Sequence, residues 1–137
     1  LILAAVTAVS MGVFWRLLIG TVVMVVAGYM GEAGFINTTI GFVVGMAGWA
    51  YILYEIFSGE ASKSAANAKP SVQSAFNTMK WIVTIGWAIY PLGYFLGYLA
   101  GGTDEATLNI VYNVADFINK IGFGLAIWAA ATTEADA

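Results

Sequence analysis

The chain has 137 residues, of which 61% are hydrophobic and only 9% are charged, with a net charge of −3. Soluble domains carry about 25% charged residues, so this composition excludes a soluble globule and indicates a membrane protein. The absence of any basic cluster argues against a nucleic-acid partner. Because the sequence contains no His and no Cys, we predict no metal site, no disulfide and no imidazole or thiolate chemistry.

The chain opens on the apolar run LILAAVTAV, residues 1–9. At about 1.5 Å per residue, this run covers roughly half of a hydrocarbon core about 30 Å thick. It also lacks the basic leader and the cleavage site of a signal peptide. We therefore interpret it as the tail of a membrane helix whose first half is absent, and the chain as the C-terminal portion of a larger protein.

Four longer apolar segments follow, separated by breaks that hold turn residues and most of the charges. Each is long enough to cross a bilayer as a helix, which predicts an all-α membrane protein. The predicted spans are residues 12–31, 35–57, 70–100 and 106–131. The stretch SGEASKSAANAKP is predicted to be a polar loop that ends where Pro70 begins the third helix. The final TTEADA is predicted to be a polar tail.

The distribution of Lys and Arg predicts the orientation of the chain in the membrane. Arg16, Lys63 and Lys69 flank the breaks at one face, whereas the breaks at the other face carry only acidic residues. By the positive-inside rule the first face is cytoplasmic, and the C-terminus lies in the cytoplasm. Lys80 falls about three turns into the third span, so either it snorkels to the headgroups or that part of the helix protrudes from the membrane.

The fourth span holds two charged residues near its middle, Asp116 and Lys120, which the helical period places on one face, one turn apart. A charge at this depth costs about 2.5–3.5 kcal/mol on insertion scales and is usually functional and partnered. One interpretation is an ion pair with an architectural role only. The alternative is a desolvated, nucleophilic lysine that condenses with an aldehyde, after which Asp116 balances the resulting cation. Asn113 and Asn119 flank the pair and are predicted either to join helices by hydrogen bonds, which the composition of membrane helices favours, or to bond nearby water or backbone.

An aromatic face is predicted on the third span, where Trp87, Tyr90, Pro91 and Tyr94 recur at helical spacing. Pro91 has no N–H, so the carbonyl of Trp87 loses its helical partner and a kink is expected there. Such a face is either ordinary packing or a rigid slot for a long, flat, apolar ligand.

Two motifs in order along the chain, W-x-x-Y-P at residues 87–91 and D-x-x-x-K at residues 116–120, resemble those of the microbial (type 1) rhodopsins. The likeness covers essentially the whole chain and is greatest to the proteorhodopsins among them. It implies part of a seven-transmembrane-helix bundle, from the end of the family's third helix through its seventh. Longer stretches that carry the resemblance are AGYMGEAG (27–34), VQSAFNTM (72–79), GWAIYPLGYFLGYL (86–99) and NIVYNVADFINKI (109–121).

The resemblance also implies a chromophore and its site. Lys120 would carry all-trans retinal as a protonated Schiff base, and Asp116 would be one carboxylate of its counterion. The residues expected to line the retinal are Trp87, Tyr90, Pro91 and Tyr94 on the third span, Trp49, Gly45 and Phe42 on the second, and Met24 and Gly28 on the first.

The resemblance implies that the protein pumps protons outward when it absorbs light. It would then be an ion transporter rather than an enzyme, and it would lie in the inner membrane of a bacterial cell. The implied partners are the lipid bilayer, the missing N-terminal helices of the same protein and further copies in a homo-oligomer. In the family, the main proton acceptor and donor are carboxylates of the third helix, which would lie upstream of Leu1. The sequence therefore leaves open a pump of another ion, a sensory rhodopsin or, from a different class, a retinal-free helical bundle.

Overall fold

The computed structural model describes residues 10–136, with the backbone alone for the last of these. Every regular element in this range is helical, which confirms the predicted all-α class. Two π-helical segments, Ile82–Gly86 and Phe95–Leu99, lie within the third predicted span. The helix tail predicted for residues 1–9 lies outside the described range. The α-helices are α1 (Met11–Glu32), α2 (Thr38–Phe57), α3 (Glu60–Ala66), α4 (Pro70–Trp81), α5 (Ile89–Tyr94) and α6 (Glu105–Asp136).

Within residues 10–136, four helical stretches are long and apolar enough to cross a membrane: the first span (Met11–Glu32), the second (Thr38–Ala66), the third (Pro70–Leu99) and the fourth (Glu105–Ala135). They contain 22 to 31 residues each, which exceeds the roughly 20 residues that a bilayer crossing requires. The prediction of four apolar helices of membrane length is therefore confirmed, and the ends of these helices differ from the predicted ones. The second span joins α2 to α3, and the third contains α4, α5 and both π-helical segments.

The polar loop predicted between the second and third spans is partly wrong, because residues 60–66 form helix α3. The Ala-rich sequence EASKSAA has a high helix propensity. Ala61 and Ala65 lie four residues apart and are both buried against the core. The carboxylate of Glu55 accepts the N–H of Ala61 at 3.2 Å, which satisfies a free donor at the helix start.

The second span begins at Thr38, three residues later than predicted, because Asn37 caps the helix. The side-chain oxygen of Asn37 accepts the N–H of Thr39 at 2.9 Å and that of Ile40 at 3.3 Å. Gly34 lies just before this cap with a φ of 79°. Only glycine adopts that conformation without strain, so the turn between the first two spans is fixed locally.

The polar tail predicted after residue 131 is also wrong, because α6 continues to Asp136. The carboxylate of Glu134 accepts hydrogen bonds from Lys69, at 2.8 Å, and from Ser71. These contacts hold the last turns of the fourth span against the start of the third. A tertiary contact thus keeps this polar segment helical.

The first and second spans run antiparallel, with glycines where their backbones approach. Gly20 lies beside Gly48, and Gly31 lies beside Gly41. A Cβ on Gly41 would come within 2.8 Å of the Gly31 Cα atom. Such small residues allow close helix packing in a membrane, where van der Waals contact contributes much of the association energy.

A charge cluster and the apolar core join the first three spans at the end predicted to be cytoplasmic. Glu55 is only 3% exposed, and its Oε2 atom lies 3.2 Å from the Nε atom of Arg16. The Nη2 atom of Arg16 also lies 2.6 Å from Glu60 Oε2. The buried apolar residues of the core are Val13, Leu17, Ile52, Ile56, Ala61, Ala65, Ala75, Phe76, Met79 and Val83.

Asp104 caps the fourth span and makes its stability depend on pH. Its carboxylate accepts the N–H and the hydroxyl of Thr107, both at 2.8 Å, and the backbone hydrogen bond in particular holds the pKa of Asp104 below its usual value. Because the pKa is lower in the folded state, the stabilisation is complete above about pH 4 and is lost as the pH falls through the folded value. Asp104→Asn keeps a cap but does not titrate.

We therefore expect the SDS concentration at half-unfolding of Asp104→Asn to rise relative to that of the unaltered chain as the pH falls below about 4. The two proteins are compared in mixed micelles across the acidic range. A difference that is independent of pH would contradict this role of the carboxylate.

Candidate functional site

The third span departs from regular α-helix just before Pro91. Because Pro91 has no N–H to donate, the carbonyl of Trp87 accepts the N–H of Tyr90 instead, at 3.1 Å. The N–H of Trp87 reaches back five residues to the carbonyl of Ile82, also at 3.1 Å. The sequence predicted that the Trp87 carbonyl would lose its helical partner. It did not predict the π-helical turn that precedes Trp87.

This irregular segment leaves two backbone carbonyls for side chains of neighbouring spans. The indole N–H of Trp49, on the second span, donates to the carbonyl of Val83 at 3.0 Å. The side-chain amide of Asn119, on the fourth span, donates to the carbonyl of Gly86 at 3.1 Å. The interhelical hydrogen bond predicted for Asn119 is thereby confirmed. The irregular segment is thus attached to the helices on both of its sides.

Asp116 and Lys120 lie on one face of the fourth span, as predicted, and contact each other. The Nζ atom of Lys120 donates to Asp116 Oδ2 at 3.3 Å, and the hydroxyl of Tyr90 donates to Asp116 Oδ1. The side chain of Lys120 is 78% exposed and that of Asp116 is 45% exposed. Within the described part of the chain, the pair therefore lies on an open face.

That face belongs to a cavity of about 850 Å³ between the spans. Ligand pockets occupy roughly 300–1,000 Å³ and combine apolar walls with a few polar groups, and this cavity fits that description. All of the predicted site residues line it: Met24, Gly28, Phe42, Gly45, Trp49, Trp87, Tyr90, Pro91, Tyr94, Asp116 and Lys120.

Several further residues line the cavity that sequence reasoning did not assign to the site. Phe123 stacks on Trp87, with ring centroids 6.3 Å apart and planes at 19°, and Tyr112 packs against Tyr90 at 5.5 Å. Extending the face of Asp116 and Lys120 by one turn each way would have found them, since both lie on the same side of the helix. The others include Thr21, Tyr29, Glu32, Met46, Asn119 and Ile127.

The structure thus combines helices of membrane length with an aromatic cavity, and a lysine and a carboxylate are paired on the cavity wall. These features define an integral membrane protein with a site suited to an apolar ligand. The chain belongs to the bacteriorhodopsin-like protein family, whose model matches residues 1–134. As a member of that family it is a multi-pass protein of the lipid bilayer.

Individual relatives agree with this assignment. The chain is 52% identical, over 135 residues, to the green-light absorbing proteorhodopsin of Gamma-proteobacterium EBAC31A08, covering 98% of this chain and 54% of that protein. It is 50% identical, over 136 residues, to the blue-light absorbing proteorhodopsin of Gamma-proteobacterium Hot 75m4, with the same coverage of both. The chain therefore spans about half the length of these relatives.

Solved structures confirm the fold. The crystal structure of blue light-absorbing proteorhodopsin from Med12 superposes with a TM-score of 0.76 at 54% identity, covering 90% of this chain and 56% of that one. Exiguobacterium sibiricum rhodopsin superposes with a TM-score of 0.84 at 31% identity, covering 99% and 66% of the two chains. The predicted resemblance to the microbial rhodopsins, and to proteorhodopsin among them, is confirmed.

Proposed function

We propose that this chain is the C-terminal portion of a light-driven outward proton pump that carries all-trans retinal on Lys120. The observation on which the proposal rests is the pairing of the Lys120 amine with Asp116, 3.3 Å away, on the wall of an aromatic cavity within membrane spans. A purely architectural ion pair would not require that cavity. The high identity to proteorhodopsins supports the same conclusion.

The cavity walls fit a long, flat, apolar molecule that ends in an aldehyde. At Gly28 and Gly124, both on the wall, an added Cβ would have no neighbour within 4 Å. These two glycines therefore keep the cavity wide where any side chain would project into it. The aromatic rings on the wall supply apolar contact, and the primary amine of Lys120 is the group that an aldehyde condenses with.

In the proposed site each residue has a separate task. Lys120 holds retinal covalently as a protonated Schiff base, and Asp116 balances the positive charge at that nitrogen. On the third span, the cavity wall is formed by Trp87, Pro91 and Tyr94. The facing wall is formed by Met24 and Gly28 of the first span and by Phe42, Gly45 and Trp49 of the second. When bound, retinal absorbs visible light and changes shape by isomerising about one double bond.

The exposed face of Lys120 and Asp116 also suggests what covers it. A lysine that is 78% exposed within a membrane span is costly against lipid. We propose that N-terminal helices of the same protein cover this face, in a seven-helix bundle. The assembly is proposed to be a homo-oligomer in a bacterial inner membrane. Its C-terminus is proposed to face the cytoplasm, on the side of Lys63 and Lys69, by the positive-inside rule.

The proposal is tested in a hybrid protein. In the hybrid, this chain replaces the matching 54% of the green-light absorbing proteorhodopsin, and the rest of that relative supplies the remaining helices. Cells that produce the retinal-loaded hybrid are expected to acidify their medium in light. A protonophore is expected to abolish the signal, and exchanging sodium or chloride for other ions is expected to leave it unchanged.

Other outcomes identify the alternatives. A light signal that a protonophore enlarges means that protons follow another ion passively, which would refute proton pumping. A visible absorption band without any light-induced pH change would favour a sensory role. A hybrid that inserts in the membrane but forms no band with retinal would favour a retinal-free bundle.

A further inference from the structure

Asn119 is adjacent to Lys120 in sequence, yet its side chain is directed toward the third span and is only 9% exposed. Its amide nitrogen donates to the carbonyl of Gly86 at 3.1 Å. The same nitrogen lies 3.5 Å from the hydroxyl oxygen of Tyr90. The first contact has an ordinary hydrogen-bond length and the second is long, so Asn119 is anchored at Gly86 and directed at Tyr90.

The backbone of the third span provides the acceptor for Asn119. In a regular helix the carbonyl of Gly86 would accept the N–H of Tyr90, but that N–H is bonded to Trp87. Gly86 also provides the space, since a Cβ there would collide with the amide oxygen of Asn119. The free carbonyl of Gly86 and the absence of a side chain at Gly86 therefore both accommodate the side chain of Asn119.

The hydroxyl of Tyr90 links Asn119 to the charged pair. This hydroxyl has a single hydrogen, which it donates to Asp116. Its oxygen faces the Asn119 amide, which has hydrogens to donate and thus favours the orientation in which Tyr90 donates to the carboxylate. The Asn119 amide is then directed as a donor at Tyr90, and the Tyr90 hydroxyl donates to Asp116. Asp116 also accepts a hydrogen bond from Lys120.

We propose that Asn119 is a positioning residue that holds the Tyr90 hydroxyl as a donor to Asp116, and thereby sets the strength of the counter-charge beside Lys120. The inference rests on the proposed function, because it concerns the environment of the Lys120 nitrogen. Asn119 acts only through Tyr90 and is bonded to the third span rather than to the ligand.

The test uses the retinal-loaded hybrid and a double-mutant cycle. Asn119→Leu keeps the size of the side chain but removes both hydrogens. When the Tyr90 hydroxyl donates less strongly, the charge of Asp116 is shared less with that hydroxyl and acts more strongly on the Lys120 nitrogen. The ground-state cation is then stabilised more, so the absorption maximum is expected to move to shorter wavelength. In a Tyr90→Phe background the same substitution is expected to cause no shift. Asn113→Leu, the same change at an exposed position of the fourth span, is the matched control and is expected to leave the maximum unchanged.

A second measurement does not depend on retinal. In the retinal-free hybrid labelled with ¹⁵N-asparagine, one side-chain amide is expected to exchange slowly with D₂O. The NMR signal of this amide is expected to be absent from the spectrum of Asn119→Leu and present in that of Asn113→Leu. Its resonance is expected to persist in Tyr90→Phe, held by Gly86, at a changed chemical shift.

The outcomes separate the inference from the proposed function. An equal wavelength shift with and without the Tyr90 hydroxyl would overturn the positioning role while retinal binding stands. So would an Asn119 amide whose chemical shift is the same in Tyr90→Phe as in the unaltered hybrid. If the unaltered hybrid forms no band, the proposed function fails. The chemical shift of the Asn119 amide then decides alone whether Asn119 is directed at Tyr90.

Discussion

Lys120→Ala in the hybrid is expected to abolish the visible absorption band that forms with all-trans retinal. The substitution removes the amine that lies 3.3 Å from Asp116 on the cavity wall. Among the residues that the structure describes, no other lysine lines that cavity. Without a covalent bond to a primary amine, retinal remains a free aldehyde and does not form the charged species that absorbs in the visible range. Absorption spectra of purified protein after addition of retinal measure the effect.

Lys80→Ala is the matched control for this experiment. Lys80 is also a lysine in a membrane span, but its Nζ atom lies over the ring of Phe57, 4.8 Å from the centroid. The band is expected to keep its intensity in this variant. A band that survives in Lys120→Ala, or that Lys80→Ala removes instead, would refute the assignment of the attachment site.

The sequence was sufficient to predict the charged pair and the aromatic slot, for a physical reason. Asp116 and Lys120 interrupt a span where each charge is costly, so their position alone marks them. Trp87, Tyr90 and Tyr94 share a helix face by their spacing. Both features depend on the helical period and on the apolar solvent, which can be read without knowing how the spans pack.

The contacts that organise the slot could not be predicted in this way. The hydrogen bonds of Trp49 and Asn119 depend on carbonyls that a π-helical turn releases. Pro91 predicts a disturbed helix but not the form that it takes. The sequence therefore favoured a role for Asn119 in joining helices over bonding to nearby water or backbone, and only the packed structure gives its partner.

The ends of the helices were missed for a related reason. Helix α3 and the last turn of α6 consist of polar sequence, and hydropathy assigns such sequence to loops. The carboxylate of Glu55 fixes the start of α3, and Lys69 holds Glu134 at the end of α6. At the end of α6 a contact between residues distant in sequence overrides the local pattern, whereas at α3 the capping carboxylate lies only six positions before Ala61.

Gly48→Val is expected to destabilise the folded protein by about 3 kcal/mol, at the upper end of the usual cost of overpacking. A Cβ at Gly48 would lie 2.8 Å from the backbone nitrogen of Met24 and 2.9 Å from the carbonyl oxygen of Gly20. Both are backbone atoms of the first span, so no side chain can rotate to make room. The first and second spans must separate, which weakens their packing along the whole contact. The free energy of unfolding of the retinal-free hybrid, measured by SDS titration, reports the loss.

Gly28→Val separates this collision from the effect of valine in a helix. Gly28 is also a glycine within a membrane span, but its Cβ would have no neighbour within 4 Å. Removing glycine from a helix interior is itself favourable by a few tenths of a kcal/mol, so this control is expected to be neutral or slightly stabilising without retinal. If Gly48→Val is tolerated as well as Gly28→Val, the two spans are not in backbone contact at Gly48. Met24 and Trp49 lie next to this contact and both line the cavity. Gly48→Val is therefore also expected to weaken retinal binding, because the spans separate. Gly28→Val would weaken retinal binding only by filling the cavity.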